Sequence, residues 1–200
     1  MEPSFHAAWT DAILSVTALG AGMWAFRRDR GQWLLPFGLA VVAAAAAVGT
    51  LRLGGVDALR PLHEMVARIA GLVGVPLAGI GVIGHHLSEK RRKGLQTAAI
   101  SLGLPLGAFA LFGPEELVRG VRDVSSGLAL LATMGFSAWK FNPMGVAAPV
   151  FILVAGLGIA GDGDWLGFPR DGWFHLVMAF AMACFGAAGR WAHPPQDGLE

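Results

Sequence analysis

Two hundred residues of which 54% are hydrophobic and only 14% charged, with a mean hydropathy of +0.57, are too apolar for a water-soluble domain of this size. A formal net charge of +1, with no Lys/Arg run interleaved with aromatic residues, excludes a nucleic-acid partner. The composition points to an all-α polytopic membrane protein forming one domain over residues 1–200.

No Lys or Arg precedes Arg27, so the first apolar run reads as a retained span rather than a secretory signal. A hydrocarbon core about 30 Å thick needs roughly 20 apolar helical residues, and seven stretches qualify on that basis. The first covers 7–26 and ends at Arg27-Arg28-Asp29-Arg30; the second covers 33–51, with an Ala-rich middle. A loop from Arg52 to Glu64 follows, and the third span, 65–86, is closed by Glu89-Lys90-Arg91-Arg92-Lys93. The fourth covers 94–113, after which Pro114-Glu115-Glu116 opens a short polar helix, with proline and acids suited to a helix amino terminus. The fifth, 121–139, stops at Lys140-Phe141-Asn142-Pro143; the sixth covers 144–160 and the seventh 172–189. Cys184 lies inside this last run and reads as a small packing residue.

Positive charge concentrates after the first, third, fifth and seventh spans, which predicts an outside amino terminus and a cytoplasmic carboxyl terminus in a bacterial cytoplasmic membrane. Tryptophans agree: Trp9, Trp165 and Trp173 fall at the outer interface, Trp24, Trp33, Trp139 and Trp191 at the inner. Gly103-x-x-x-Gly107, Gly71, Gly74, Gly79, Gly81 and Gly84 predict close helix approaches.

Ionisable residues inside a membrane usually face a bundle interior or a water-filled cavity. Here His6, Asp11, Arg52, His63, Glu64, Arg68, Glu115, Glu116, Asp171 and His175 gather in the outer half, so any pocket is expected to open outward. Asp171 and His175 are four apart and share a helix face; with Asp11 they are the candidate catalytic residues. For Asp11 a helix cap formed with Thr10 is the structural alternative, and for His175 a hydrogen bond to Asp171 or Asp11. Arg52 and Arg68 form a candidate headgroup clamp, with Glu64 positioned to pair with Arg68. A metal site would draw on His63, Asp171 and His175, with Asp11 or His6 as a fourth ligand. Asp162-Gly163-Asp164 looks like the opening of a calcium loop, but nothing completes the ligand pattern.

Thr10-Asp11-Ala12-Ile13-Leu14 opening the first helix, Gly49-Thr50 closing the second and Asp171-Gly172-Trp173-Phe174-His175 opening the seventh resemble a bacterial branch of the alkaline ceramidase and adiponectin-receptor-like membrane hydrolases. The resemblance implies the seven-helix fold and, in active members, zinc held by a histidine near the second helix and a His-x-x-x-His pair on the seventh. Here that pair reads Asp171-x-x-x-His175, and Arg52 stands near the second-helix histidine position, so one histidine of three survives. The expected functions are a non-catalytic membrane subunit or a lipid-binding or small-molecule-binding protein. Alternatives are an enzyme acting on a lipid or isoprenoid, by metal-dependent hydrolysis or acid-initiated cyclisation, and a small transporter. Membrane lipids and other membrane subunits are the expected partners.

Overall fold

The structure, a computed structural model, describes residues 5–28, 31–161 and 163–189. Among these the chain forms seven helices: α1 (Phe5–Arg28), α2 (Leu34–Leu53), α3 (Asp57–His85), α4 (Glu89–Phe112), α5 (Glu115–Trp139), α6 (Pro143–Ile159) and α7 (Arg170–Ala188). A two-residue-per-strand hairpin, β1 (Asp164–Trp165) and β2 (Phe168–Pro169), precedes α7. Four helices, α2, α3, α4 and α7, are long and apolar enough to cross a membrane; α6 is apolar but shorter. Arg30 and Trp191, used above to orient the chain, lie outside the described residues, as does Asp162.

Two boundaries differ from the expectation. The loop expected over Arg52–Glu64 shrinks to Gly54-Gly55-Val56, because α2 runs on to Leu53 and helical structure resumes at Asp57, so His63 and Glu64 stand on α3. The short polar helix expected at Pro114 is not separate, since helix α5 is continuous from Glu115 to Trp139. A charged first turn is compatible with either reading of the sequence, and Gly120, which stands between it and the apolar run, is carried inside the helix without breaking it.

Six of the helices close a ring in the order α1, α2, α3, α5, α6, α7 and back to α1, while α4 stands outside and packs on α3. Small residues bring the ring helices together. A Cβ on Gly38 would lie 2.5 Å from the Ala78 nitrogen and the Gly74 oxygen, and one on Gly186 would lie 2.7 Å from the Ala21 Cβ, so the α2/α3 and α1/α7 crossings need glycine there. Gly103 and Gly107 on α4 do not join such a crossing: Gly103 meets only the edge of Val73, at 4.0 Å, and Gly107 meets nothing within 4 Å. The buried stripe of α1 runs through Ala7, Thr10, Asp11, Leu14, Ala18 and Ala25, at helical spacing, and Asp11 is carried inward as part of it.

Two π turns interrupt the ring, Ala70–Gly74 in α3 and Val154–Ile159 in α6. The Ser126 hydroxyl on α5 donates to the Gly71 carbonyl in the first (2.7 Å). The Arg170 guanidinium donates to the Ile159 and Gly158 carbonyls at the end of the second (3.0 and 3.2 Å), satisfying the exposed carboxyl end of α6 with a cation.

A candidate polar-headed cavity within the helix ring

The ring encloses a cavity of about 610 Å³, to which all six ring helices contribute and α4 does not. Its body is apolar, formed by residues such as Leu14, Val42, Val75, Leu130, Ile152 and Met178. Its polar head is Asp11 from α1, His63 from α3 and His175 from α7, all near the starts of their helices on the side where α2 finishes, beside Arg52. The cavity also reaches a lateral gap. α5 packs on the Pro143–Leu153 part of α6, whereas the following π turn packs on α7, and between them Gly127, Gly156 and Leu157 line the opening. Leu157 is 87% exposed and still borders the cavity, as does the exposed Asp123, so the opening is edged by apolar and charged side chains alike.

Asp11 is 2% exposed. It is not a helix cap: α1 begins at Phe5, and the Thr10 hydroxyl is turned back to the His6 and Ala7 carbonyls, both at 3.1 Å. Asp11 Oδ1 faces His175 Nδ1 at 3.3 Å and Oδ2 has no hydrogen-bond partner among the described residues. The other ring nitrogen, His175 Nε2, stands 3.9 Å from Asp171 Oδ1, whose side chain is 60% exposed. The imidazole therefore lies between a buried and an exposed carboxylate, close to both, but Nδ1 meets Asp11 Oδ1 as an ion-pair contact without hydrogen-bond geometry and has no hydrogen-bond partner among the described residues.

Gly49 of α2 makes room for this cluster. A Cβ there would collide with Asp11 Oδ2 and lie 3.0 Å from His63 Nε2, so the carboxylate and the second imidazole share a space that any other residue would fill. His63 turns its remaining nitrogen, Nδ1, to Arg52 Nη1 at 2.8 Å.

The sequence-derived candidates thus divide. Asp11, His175 and His63 meet at the cavity head, Asp171 flanks it, and Arg52 stands behind His63. Arg68 pairs with Glu115 on α5 (3.4 Å) and Glu64 with Arg60 (3.2 Å), so the expected Glu64–Arg68 pair does not form and neither residue borders the cavity. His6 packs edge-on against Phe168 of the hairpin, with ring centroids 5.5 Å apart. Arg122, Asp123 and Ser126 of α5, which sequence reasoning passed over, do line the cavity, Arg122 being held by Asp123 at 2.8 Å. The signal available was Ser125-Ser126-Gly127, small polar residues where a lipid-facing run would be apolar throughout.

The zinc implied by the family resemblance is a poor match to this donor set. A guanidinium already occupies His63 Nδ1, and its fixed charge opposes a second cation beside it. Among the described residues no group of three or more His, Cys, Asp or Glu side chains is arranged to hold a metal ion. What the arrangement offers is a buried acceptor, two imidazoles and a long apolar space continuous with them. No family model, no curated protein and no solved structure matches the chain.

Proposed function

We propose that this chain is a membrane-embedded binding protein for an amphipathic lipid or small molecule, built on a ceramidase-like scaffold in a bacterial cytoplasmic membrane. In this reading all seven helices cross the bilayer, with the amino terminus outside. Arg27, Arg28, Lys90 to Lys93 and Lys140 follow α1, α3 and α5 on one side, which supports a cytoplasmic assignment for that side and an outer one for the cavity head. The outer face of α4, with Leu102, Leu104 and Phe112 exposed, then meets acyl chains or an adjoining membrane subunit.

The observation that carries the reading is a cavity of about 610 Å³ with apolar walls and a buried, unpartnered carboxylate oxygen at one end. Ligand sites of this kind are mostly apolar, with a few convergent polar groups that fix orientation. The nearby arginines Arg52, Arg68 and Arg122 are each engaged by a protein group, so the phosphate or carboxylate clamp expected of Arg52 and Arg68 gives way to a head that hydrogen-bonds Asp11. The lateral gap beside Leu157 supplies a route from the bilayer for the apolar part.

Native mass spectrometry of the full chain extracted into lipid nanodiscs tests this. One amphipathic molecule per chain is expected to co-purify, and Leu130→Trp, which fills the cavity from α5, is expected to abolish its retention. A wild-type protein that carries nothing, or a Leu130→Trp variant that retains the same molecule, ends the proposal.

A second reading is favoured by the placement of His175 between Asp11 and Asp171, which suits acid–base chemistry on the bound molecule. It predicts that Asp171→Asn leaves retention intact while blocking conversion of the co-purified molecule, followed by lipid mass spectrometry over time.

A further inference from the structure

The geometry points to Arg52 as a positioning residue that fixes His63 in its Nε2–H form, so that His63 donates into the cavity beside the accepting Asp11 Oδ2, a pair that takes a hydroxyl head and turns away a metal ion. The argument starts from what a guanidinium can do. Arginine has five N–H donors and no acceptor, so the 2.8 Å contact between Arg52 Nη1 and His63 Nδ1 has only one chemically sound direction, with Nδ1 accepting. A ring protonated on both nitrogens would turn an N–H against the guanidinium N–H, so the contact selects the neutral ring with its hydrogen on Nε2.

The consequence lies at the other end of the ring. His63 Nε2 is 3.0 Å from the point where a Cβ on Gly49 would begin, and Asp11 Oδ2 crowds the same point. Both atoms thus border the space above Gly49, no hydrogen bond joins them, Asp11 Oδ2 has no hydrogen-bond partner among the described residues, and both residues line the cavity. A donor and an acceptor set side by side over a glycine match a hydroxyl group, whose oxygen accepts from His63 Nε2–H while its hydrogen is donated to Asp11 Oδ2. A carboxylate or a fully ionised phosphate head has no hydrogen to give Asp11 and brings a second negative charge to it, and an ether has no hydrogen to give either.

The same tautomer argues against a metal ligand. A metal ion binds a histidine nitrogen through its lone pair, and the nitrogen of His63 that faces the cavity carries a hydrogen instead. Arg52 thus acts through His63 and touches nothing in the cavity itself, since it is not among the cavity-lining residues. The hydroxyl assignment rests on the amphiphile-binding reading, whereas the tautomer assignment stands without any ligand.

Histidine-selective ¹⁵N NMR on the full chain in nanodiscs reads the tautomer directly, with His63→Gln assigning the signals. A bare Nδ1 and a protonated Nε2 are expected for His63, unchanged in Arg52→Lys, which keeps a donor, and shifted to a mixture of tautomers in Arg52→Leu. A His63 protonated on Nδ1, identical spectra for the wild type and Arg52→Leu, or zinc that moves the His63 signals at one equivalent would overturn the assignment. A long-chain n-alkanol and its methyl ether then probe the head: the alkanol is expected to bind about tenfold more tightly, the worth of one hydrogen bond to a charged group, with the preference lost in Asp11→Asn. Equal binding of alkanol and ether overturns the hydroxyl pair alone. Failure of any amphiphile to co-purify is read separately and leaves the NMR result standing.

Discussion

Asn142 and Asp11, buried polar residues at opposite ends of the helix ring, are satisfied to very different degrees. At the end away from the cavity head, Asn142 is fully buried and every polar atom of its side chain is used: Oδ1 accepts from the Gly145 N–H (3.0 Å), and Nδ2 donates to the Ala188 carbonyl (3.0 Å) and contacts His86 Nε2 (3.2 Å). It ties the finish of α3 and α7 to the start of α6. At the other end Asp11 is nearly as deeply buried, and while Oδ1 meets His175, Oδ2 has no hydrogen-bond partner among the described residues. A saturated polar residue holds helices together, whereas a buried unpaired one costs stability that the fold recovers only if something else supplies the partner. Buried polarity therefore serves structure at Asn142 and, in our reading, recognition at Asp11; Gln32 Nε2 and Ser137 Oγ, at the Asn142 end, also lack partners among the described residues but do not line the cavity.

The comparison is most severely tested at Asn142. Asn142→Ala removes all of those contacts at once and strands a carbonyl and an N–H, so unfolding in mixed micelles should show a loss of about 3 kcal/mol, with binding per folded molecule unchanged. If binding falls while stability holds, the two ends have been assigned the wrong way round. Next comes Gly49→Ala, whose Cβ must displace the Asp11 carboxylate and crowd His63; overpacking of this kind costs about 1–3 kcal/mol, and retention of the co-purified molecule should fall to background. Asp11→Asn keeps the shape and removes the buried charge, so stability should be equal to or above the wild type's, while affinity for a hydroxyl-bearing amphiphile drops about tenfold. A large destabilisation there would make Asp11 a structural residue like Asn142. Smallest of all, Arg60→Ala breaks only an exposed ion pair with Glu64 and should change stability by less than about 0.5 kcal/mol, with no effect on retention.

Much of this was legible from residue order alone. Apolar runs punctuated by Arg27-Arg28, Lys90 to Lys93 and Lys140 mark the seven helices, and Asn142-Pro143 marks the start of α6, where the Asn142 side chain does cap the first turn. The approach of Asp11 to His175 followed from placing both near helix starts on one side of a bundle. What was hidden depended on register. Arg52 and His63 meet because helical structure resumes at Asp57 instead of after Glu64; Gly54-Gly55 marks the break, but Pro61 and the charges around it read as a continuing loop. Arg68 was expected to reach Glu64 one turn away, but α5 brings Glu115 within 3.4 Å, a contact between helices that local spacing cannot foretell. The glycine pair on α4 fits the rule for close packing, and failed because no neighbouring helix is supplied on that face.

The π turn at Ala70–Gly74 lies between the end of α3 that carries His63 and the end that crosses α2 at Gly81. A π turn accommodates one residue more than an α-helix would, and each residue accounts for about 100° around the axis. The turn thus sets the angular phase of one half of α3 against the other. Deleting a single residue, for instance Leu72, would rewind the segment to plain α-helix and, with the Gly81 crossing held fixed, swing His63 and its Arg52 contact roughly a quarter-turn away from Asp11. The two imidazoles and the acid share a hollow because one extra residue was wound into the helix, in the turn that starts at Ala70 on the far side of His63.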